Sequence, residues 1–343
     1  MVMNYDIMQG VSQSILVDWM TCRQRGKYRG AGWRPVESRD TMFLGKLVHA
    51  MLDAHYARRE WNLVTFLRED GIPSEEALSE KQHETVCKAY AILDAYKVFW
   101  KKADSKRKWT ETEQQFAITE PRSCVLMRGK RDAAYEHHRK RWLFETKTTG
   151  RYDEDAKTLQ VMINFQTLYY LASMYLETGK WPSGVLHNII IPPGIRLKQK
   201  QTPDEYRIEY RDRLLDDPEK HFVRFEVSMP ETFLTQWYST ELVPLLTEFR
   251  DWSDGLRPTY RNSDRWVCSG AFTCDYLRCC ATASMVGYSK GKVFPELEGV
   301  DDGKNTSQET SSKAKSAASS HNTTSTGGCT ETRTKRSPKR LSR

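Results

Sequence analysis

The chain has 343 residues, 38% hydrophobic and 29% charged, with a formal net charge of +8. That size suits one large α/β domain or two small ones. No apolar run is long enough to span a bilayer and the start lacks the charged-then-apolar form of a secretion signal, so the expected setting is the cytoplasm.

Residues 1–40 read as an N-terminal segment. Ser14 to Met20 suits one amphipathic helix, and Cys22 and a basic, glycine-containing stretch from Arg23 to Arg34 read as loop. From Met42 to Glu60 apolar residues recur at Leu44, Leu47, Val48, Met51, Leu52 and Tyr56, close to a helical period. Gly45 and His49 share a face of that helix. A lone helical histidine is more often structural than a ligand. Residues 75–103 read as a second long helix, with Glu75 and Glu76 in its first turn and Lys101 and Lys102 in its last. Trp109 to Ile118 alternates as a strand does, and its single central carboxylate, Glu113, is expected to face solvent.

Residues 126–149 read as a hairpin, two β-prone flanks around the polar tip His137-His138-Arg139-Lys140. Strand side chains alternate, so Glu145 and Lys147 project the same way, and Asp132 on the first strand can lie beside Glu145 if the register allows. Two carboxylates and an ammonium would then converge. Close carboxylates repel unless a cation sits between them. A hard divalent ion with oxygen ligands is the natural one, and a lysine beside it can hold a water or the charge developing on a phosphoryl group. Taken alone, the spacing equally fits an ordinary surface Glu/Lys pair.

After a polar turn, residues 155–178 read as a third helix, stopped by Gly179, with Leu159 on its buried face and Gln166 and Tyr170 four apart on one side. Val185 to Ile191 suits a buried strand, Ile195 to Lys200 a partner strand, and Phe222 to Val227 a further strand. Residues 230–252 suit a fourth helix that Pro244 should kink or split. Residues 258–289 are rich in cysteine and aromatics. Beyond about residue 290 the chain turns to Ser, Thr and Lys and is expected to be a disordered tail. The last 43 residues hold nine Lys/Arg and four Asp/Glu, so most of the net charge is theirs and the body is mildly basic, which permits a polyanionic partner without demanding one. No phosphate-binding loop or serine-nucleophile motif is present.

Four features occur in a fixed order: Gly45-x3-His49 on a helix, Gly129-Lys-Arg-Asp132 on a strand, Glu145-Thr-Lys147 on the next, and Gln166-x3-Tyr170 on the following helix. This order resembles the PD-(D/E)XK nuclease superfamily, in particular its RecB-like exonuclease branch with CRISPR-associated and phage-encoded relatives. The resemblance spans roughly residues 12–280, with Arg131 where many members carry proline. It implies an α/β fold with a restriction-endonuclease-like mixed central sheet flanked by helices, a core over residues 41–257 and a cysteine-containing C-terminal subdomain. It also implies a Mg²⁺- or Mn²⁺-dependent DNA nuclease, an exonuclease by branch, that cuts phosphodiesters by in-line attack of a metal-bound water. Asp132, Glu145, His49 and the Thr146 carbonyl would hold the metal. Lys147 would position or activate the water, and Gln166 and Tyr170 would brace the site or contact phosphate. DNA is the implied partner, with a helicase or a recombination or replication protein as candidate company. The alternative is a catalytically silent DNA-binding or assembly protein of the same fold, against which the intact Asp132, Glu145 and Lys147 stand. A third reading makes the basic tail the functional tether.

Some RecB-like members carry a [4Fe–4S] cluster on one cysteine before the core and three after it. Cys22, then Cys268, Cys274 and Cys279 or Cys280, follow a similar plan, and Cys274-x5-Cys280 matches the family's last gap, although the first gap is longer than usual. Free thiols and a zinc site are the other readings.

Overall fold

The computed structural model describes residues 5–36, 41–150, 159–270 and 273–294. In chain order its main elements are strand β1 (Val11–Ser12), helices α1 (Gln13–Thr21) and α2 (Arg23–Gly30), strand β2 (Trp33–Pro35), and helices α3 (Thr41–Tyr56), α4 (Leu63–Glu69) and α5 (Glu80–Asp104). Strands β3 (Lys108–Glu120), β4 (Val125–His137) and β5 (Lys140–Thr148) follow, then helix α6 (Phe165–Thr178), strand β6 (Gly184–Ile190), helix α7 (Pro203–Asp216) and strand β7 (Phe222–Ser228). Helices α8 (Glu231–Trp237), α9 (Val243–Ser253), α10 (Arg265–Ser269) and α11 (Leu277–Thr282) and strand β8 (Tyr288–Lys290) complete it.

The hairpin forms as its polar tip predicts. His137 pairs with Lys140, and His138 and Arg139 between them take left-handed backbone, φ 48° and 61°, as a tight two-residue hairpin turn requires.

Six strands make one mixed sheet. β3 covers one edge of β4 along almost its whole length. The opposite edge is shared: β5 pairs antiparallel with Ala133–His137, and β1 pairs in parallel with Met127 and Arg128. Among the described residues no strand covers that edge from Gly129 to Asp132. On β5, pairing with β4 stops at Phe144, while the parallel pairing with β6 runs on to Thr148. The sheet forks there, and Asp132 and Glu145 are the first residues on either side of the fork.

Helices pack on both faces. Leu143 and Val185 share a core with Leu16, Trp19, Tyr169, Leu246 and Phe249, which belong to α1, α6 and α9. Phe144 and Leu186, one residue on, share the opposite core with Leu47, Met51, Ile92, Tyr96 and Tyr206, from α3, α5 and α7. Covering both faces buries all seven residues of β6, its aliphatic ones together with the polar pair His187 and Asn188. Among the described residues no helix is long and apolar enough to cross a membrane.

Several expectations need correction. Residues 23–30 are helix, not loop: a Cβ on Gly26 would stand 2.6 Å from Trp19 Cα and one on Gly30 2.4 Å from the Tyr5 ring. These glycines let α2 close on its neighbours. Ile195 to Lys200 forms no strand. Its place is taken by an irregular run whose Ile195 carbonyl accepts a hydrogen bond from Tyr206. The third helix breaks before Phe165, where Asn164 caps α6, and Leu159, expected in its buried face, is exposed; residues 151–158 lie outside the described residues. Pro244 does not end its helix: the backbone stays helical from α8 into α9, with a π turn at Tyr238–Leu242 directly before the proline, where the Val243 N–H reaches back to the Tyr238 carbonyl. From residue 295 on, the expected tail lies outside the described residues.

Candidate active site

The fork brings its residues together through ladder geometry. Where β5 leaves β4, the Thr146 N–H donates to Asp132 Oδ2 at 2.8 Å, replacing the ladder bond that the fork removes. Asp132 Oδ1 lies 3.4 Å from Nδ1 of His49, which α3 lays across the opening. Gly129, three residues before Asp132, keeps the floor thin. A Cβ there would stand 2.6 Å from Phe116 and 3.2 Å from Tyr170.

Glu145 and Lys147 project the same way, as their spacing requires. Lys147 Nζ is 2.6 Å from Glu145 Oε1. Gln166, in the first turn of α6, ties the pair: its Nε2 donates to Glu145 Oε1 at 2.8 Å and its Oε1 accepts from Lys147 Nζ at 3.0 Å. These two bonds fix which end of the amide faces which residue. Glu145 is 1% exposed, and its second oxygen, Oε2, has no hydrogen-bond partner. Tyr170, one turn beyond Gln166, is buried with its ring edge-on to Phe116. Burial, then the Glu145 and Asp132 carboxylates, push its hydroxyl pKa up, so it stands protonated beside the site.

One participant is not legible in the sequence. Glu113 is not solvent-facing. It lies in β3 between Thr112, which pairs with Ala133, and Gln114, which pairs with Arg131, and it takes φ 43°. A left-handed non-glycine residue inside a strand is uncommon and strained. The result is that one ligand atom each of His49, Glu113 and Asp132 lie within 4.8 Å of one another. Glu113 also ion-pairs with Lys130. Nothing in the alternation of β3 signals this turn of the backbone.

The site draws positive charge. Burial would lower the pKa of His49, but Asp132, then Glu113 and Glu145, hold it up to about 9. Burial works against ionisation of Asp132, yet His49 and Lys147 keep its pKa below the usual range. Burial raises Glu145 to about 7 despite Lys147, with Asp132 pushing the same way. Burial also raises Glu113 against the pull of Lys130. Two carboxylates and an imidazole, those of Asp132, Glu113 and His49, form a donor set able to hold a divalent ion; Glu145, though its buried Oε2 has no hydrogen-bond partner, is not among the residues whose ligand atoms meet there.

The four cysteines also converge. The Asn262 N–H donates to Cys22 Sγ at 3.3 Å, and Cys268 Sγ donates to the Asn262 carbonyl at 3.4 Å. The thiols of Cys274 and Cys280 are pushed up first by burial and further by neighbouring sulfurs, Cys22 and Cys268 on the first, Cys22, Cys279 and Cys274 on the second. Cys22, Cys268, Cys274, Cys279 and Cys280 are free thiols. Of the adjacent pair, Cys279 is buried against Met285 Sδ at 3.0 Å, which leaves Cys280 as the member that shares neighbours with Cys22 and Cys274. Tetrahedral zinc would hold its sulfurs about 3.8 Å apart. Among the described residues no three of these sulfurs lie within 4.8 Å of one another.

The family model of the PD-(D/E)XK nuclease superfamily matches residues 10–281. No curated protein matches the chain. One solved structure, described as "Crystal structure of SSO0001", is 12% identical, with a TM-score of 0.29 over 80% of this chain and 93% of that one; a likeness at that level adds nothing to the fold described above.

Proposed function

The chain belongs to the PD-(D/E)XK nuclease superfamily, and on that premise we propose that it is a Mg²⁺- or Mn²⁺-dependent deoxyribonuclease of the RecB-like branch, acting as an exonuclease. One arrangement carries the reading: His49, Glu113 and Asp132 with ligand atoms within 4.8 Å of one another, beside a buried Glu145 bonded to both Lys147 and Gln166. Asp132, Glu145, His49 and the Thr146 carbonyl would hold the divalent ion, which supplies Lewis-acid polarisation and lowers the pKa of water.

The chain's own residues do the remaining work. Lys147 places its ammonium where charge develops on the phosphoryl oxygens and where an attacking water can be held. Gln166 fixes the ammonium and the Glu145 carboxylate relative to each other. Tyr170 braces the floor beside Gly129. To act as a ligand His49 would have to be neutral, since only neutral imidazole coordinates. The substrate is DNA, and a helicase or a recombination or replication protein is the proposed company. Cys22, Cys268, Cys274 and Cys280 would carry a [4Fe–4S] cluster that clips the start of the fold to its C-terminal subdomain; the contacts of Cys22 and Cys268 with Asn262, and the nearness of Cys22 to Cys274 and Cys280, support that assignment.

The test is cleavage of end-labelled single- and double-stranded DNA with Mg²⁺, Mn²⁺ or EDTA. Metal-dependent cleavage with a ladder of end products is expected. Folded protein that cuts neither substrate with either metal overturns the reading. Anaerobic iron and sulfide reconstitution should give visible charge-transfer absorption that Cys268→Ser removes.

A further inference from the structure

Behind the catalytic strand runs a buried polar chain that the proposed chemistry does not use. Thr146 points away from Glu145 and Lys147, and its Oγ1 accepts from Asn188 Nδ2 at 3.1 Å. Asn188, its register partner on β6, is completely buried. Asn188 Oδ1 in turn accepts from Arg224 Nε on β7 at 2.9 Å. The guanidinium has its side chain only 3% exposed. It donates to Asp104 Oδ1 at 2.5 Å and to Tyr56 Oη at 2.7 Å. Tyr56 also donates to Asp104 Oδ2 at 3.0 Å.

The ends of this chain are its point. Tyr56 is the last residue of α3, the helix that carries His49. Thr146 lies between Glu145 and Lys147 and offers its own carbonyl. One buried arginine therefore joins the helix and the strand that supply the ligands on either side of the fork. Two strands and two helices meet at one guanidinium whose fork geometry fixes direction as well as distance, and β5 joins them through Asn188. Asp104 neutralises it, so the chain stands as a satisfied buried network.

We propose that Arg224 and Asn188 are positioning residues of the metal site, holding α3 and β5 at the spacing that lets His49 and the Glu145–Thr146 segment ligate one ion. This rests on the nuclease reading above. Outer partners of metal ligands typically govern affinity or activity by 10–100-fold when lost.

The experiment compares Thr146→Val and Arg224→Lys with the wild-type protein. Thr146→Val keeps the backbone carbonyl and the shape while cutting the last bond of the chain. Arg224→Lys keeps the charge beside Asp104 but cannot also reach Asn188 and Tyr56. Mn²⁺ affinity is read by titration calorimetry, and kcat and KM on DNA are measured in parallel. Both variants should bind Mn²⁺ about 10–100-fold more weakly, with kcat reduced to match at saturating DNA and KM for DNA little changed. Thr146→Ser, which keeps the hydroxyl, should recover most of the affinity. If Thr146→Val fails to fold, Thr146→Ala, which leaves room for a water, takes its place. Folded variants that bind Mn²⁺ as the wild type does overturn the inference while leaving the nuclease reading intact. Wild-type protein that binds no Mn²⁺ removes the nuclease reading and this inference with it.

Discussion

Lys147 Nζ stands 2.6 Å from Glu145 Oε1, on the same face of one strand and under one glutamine. The ammonium has two tasks, to offset a buried carboxylate and to face the phosphoryl group. Replacing Lys147 with Ala should lower kcat by about 10²–10³, the range seen when one preorganised charge-stabilising donor is lost. Single-turnover cleavage at saturating metal measures it. A Lys147→Ala protein with full turnover would remove the residue from the site.

Glu145 makes the opposite kind of prediction, about stability. Burial raises its pKa from the usual 4.5 to about 7. The stability linked to its proton is thus fully present below the ordinary value and lost as pH rises through about 7. Glu145→Gln stays neutral throughout. Without divalent ions it should be more stable than wild type at pH 8, by roughly 1–3 kcal/mol, since each tenfold change in a proton's binding constant is worth about 1.4 kcal/mol. At pH 4.5 the two should melt together. The variant should also be inactive. Calorimetric melts at the two pH values decide the matter: a Gln variant no more stable at pH 8 would mean that the buried carboxylate is not under strain.

Metal binding should itself be a titration. Held up to about 9, His49 keeps its proton across neutral pH, so its contribution to stability is complete below about 6.5 and disappears as pH rises through about 9. An ion that takes imidazole as a ligand must displace that proton. Mn²⁺ affinity should therefore rise with pH between about 7 and 9, approaching tenfold per pH unit, and level off above. Near pH 8 about one proton should leave per ion bound, and more below about pH 7, where Glu145 is protonated as well. Calorimetry in buffers of different ionisation enthalpy counts them, and a pH-independent affinity would exclude His49 as a ligand.

How much of this was written in the sequence depends on what each residue's neighbours do. The hairpin, with Asp132, Glu145 and Lys147, is legible because strand alternation is a local rule. Gln166 is legible by its four-residue spacing from Tyr170 on the helix that follows that strand, although the true start of the helix, at Asn164, is not. The α2 helix is not, because the glycines that let it close on Trp19 and Tyr5 have the composition of a loop. Helix α7 carries a capping box at Thr202 and Glu205, but only Tyr206, Tyr210 and Leu214 of it are buried, too few to set a readable period. The Asp104–Arg224–Asn188–Thr146 chain joins residues far apart in sequence, and nothing local marks it.

Glu113 is the sharpest case, and its prediction follows from the backbone. A period-2 reading leaves it an ordinary strand carboxylate, yet φ 43° turns it toward His49 and Asp132. There it holds Lys130 in an ion pair. The same carboxylate thus has two possible cations, the lysine and a bound ion, which compete for it. Glu113→Gln, which keeps the shape and removes the charge, should weaken Mn²⁺ binding about tenfold, at the low end of the range for groups that support a metal site. Lys130→Met, which removes the competitor, should tighten it. Opposite shifts in one titration series would place Glu113 at the ion. If Glu113→Gln binds as the wild type does, the residue serves only to hold Lys130, and the strained turn of β3 must be explained by that pair alone.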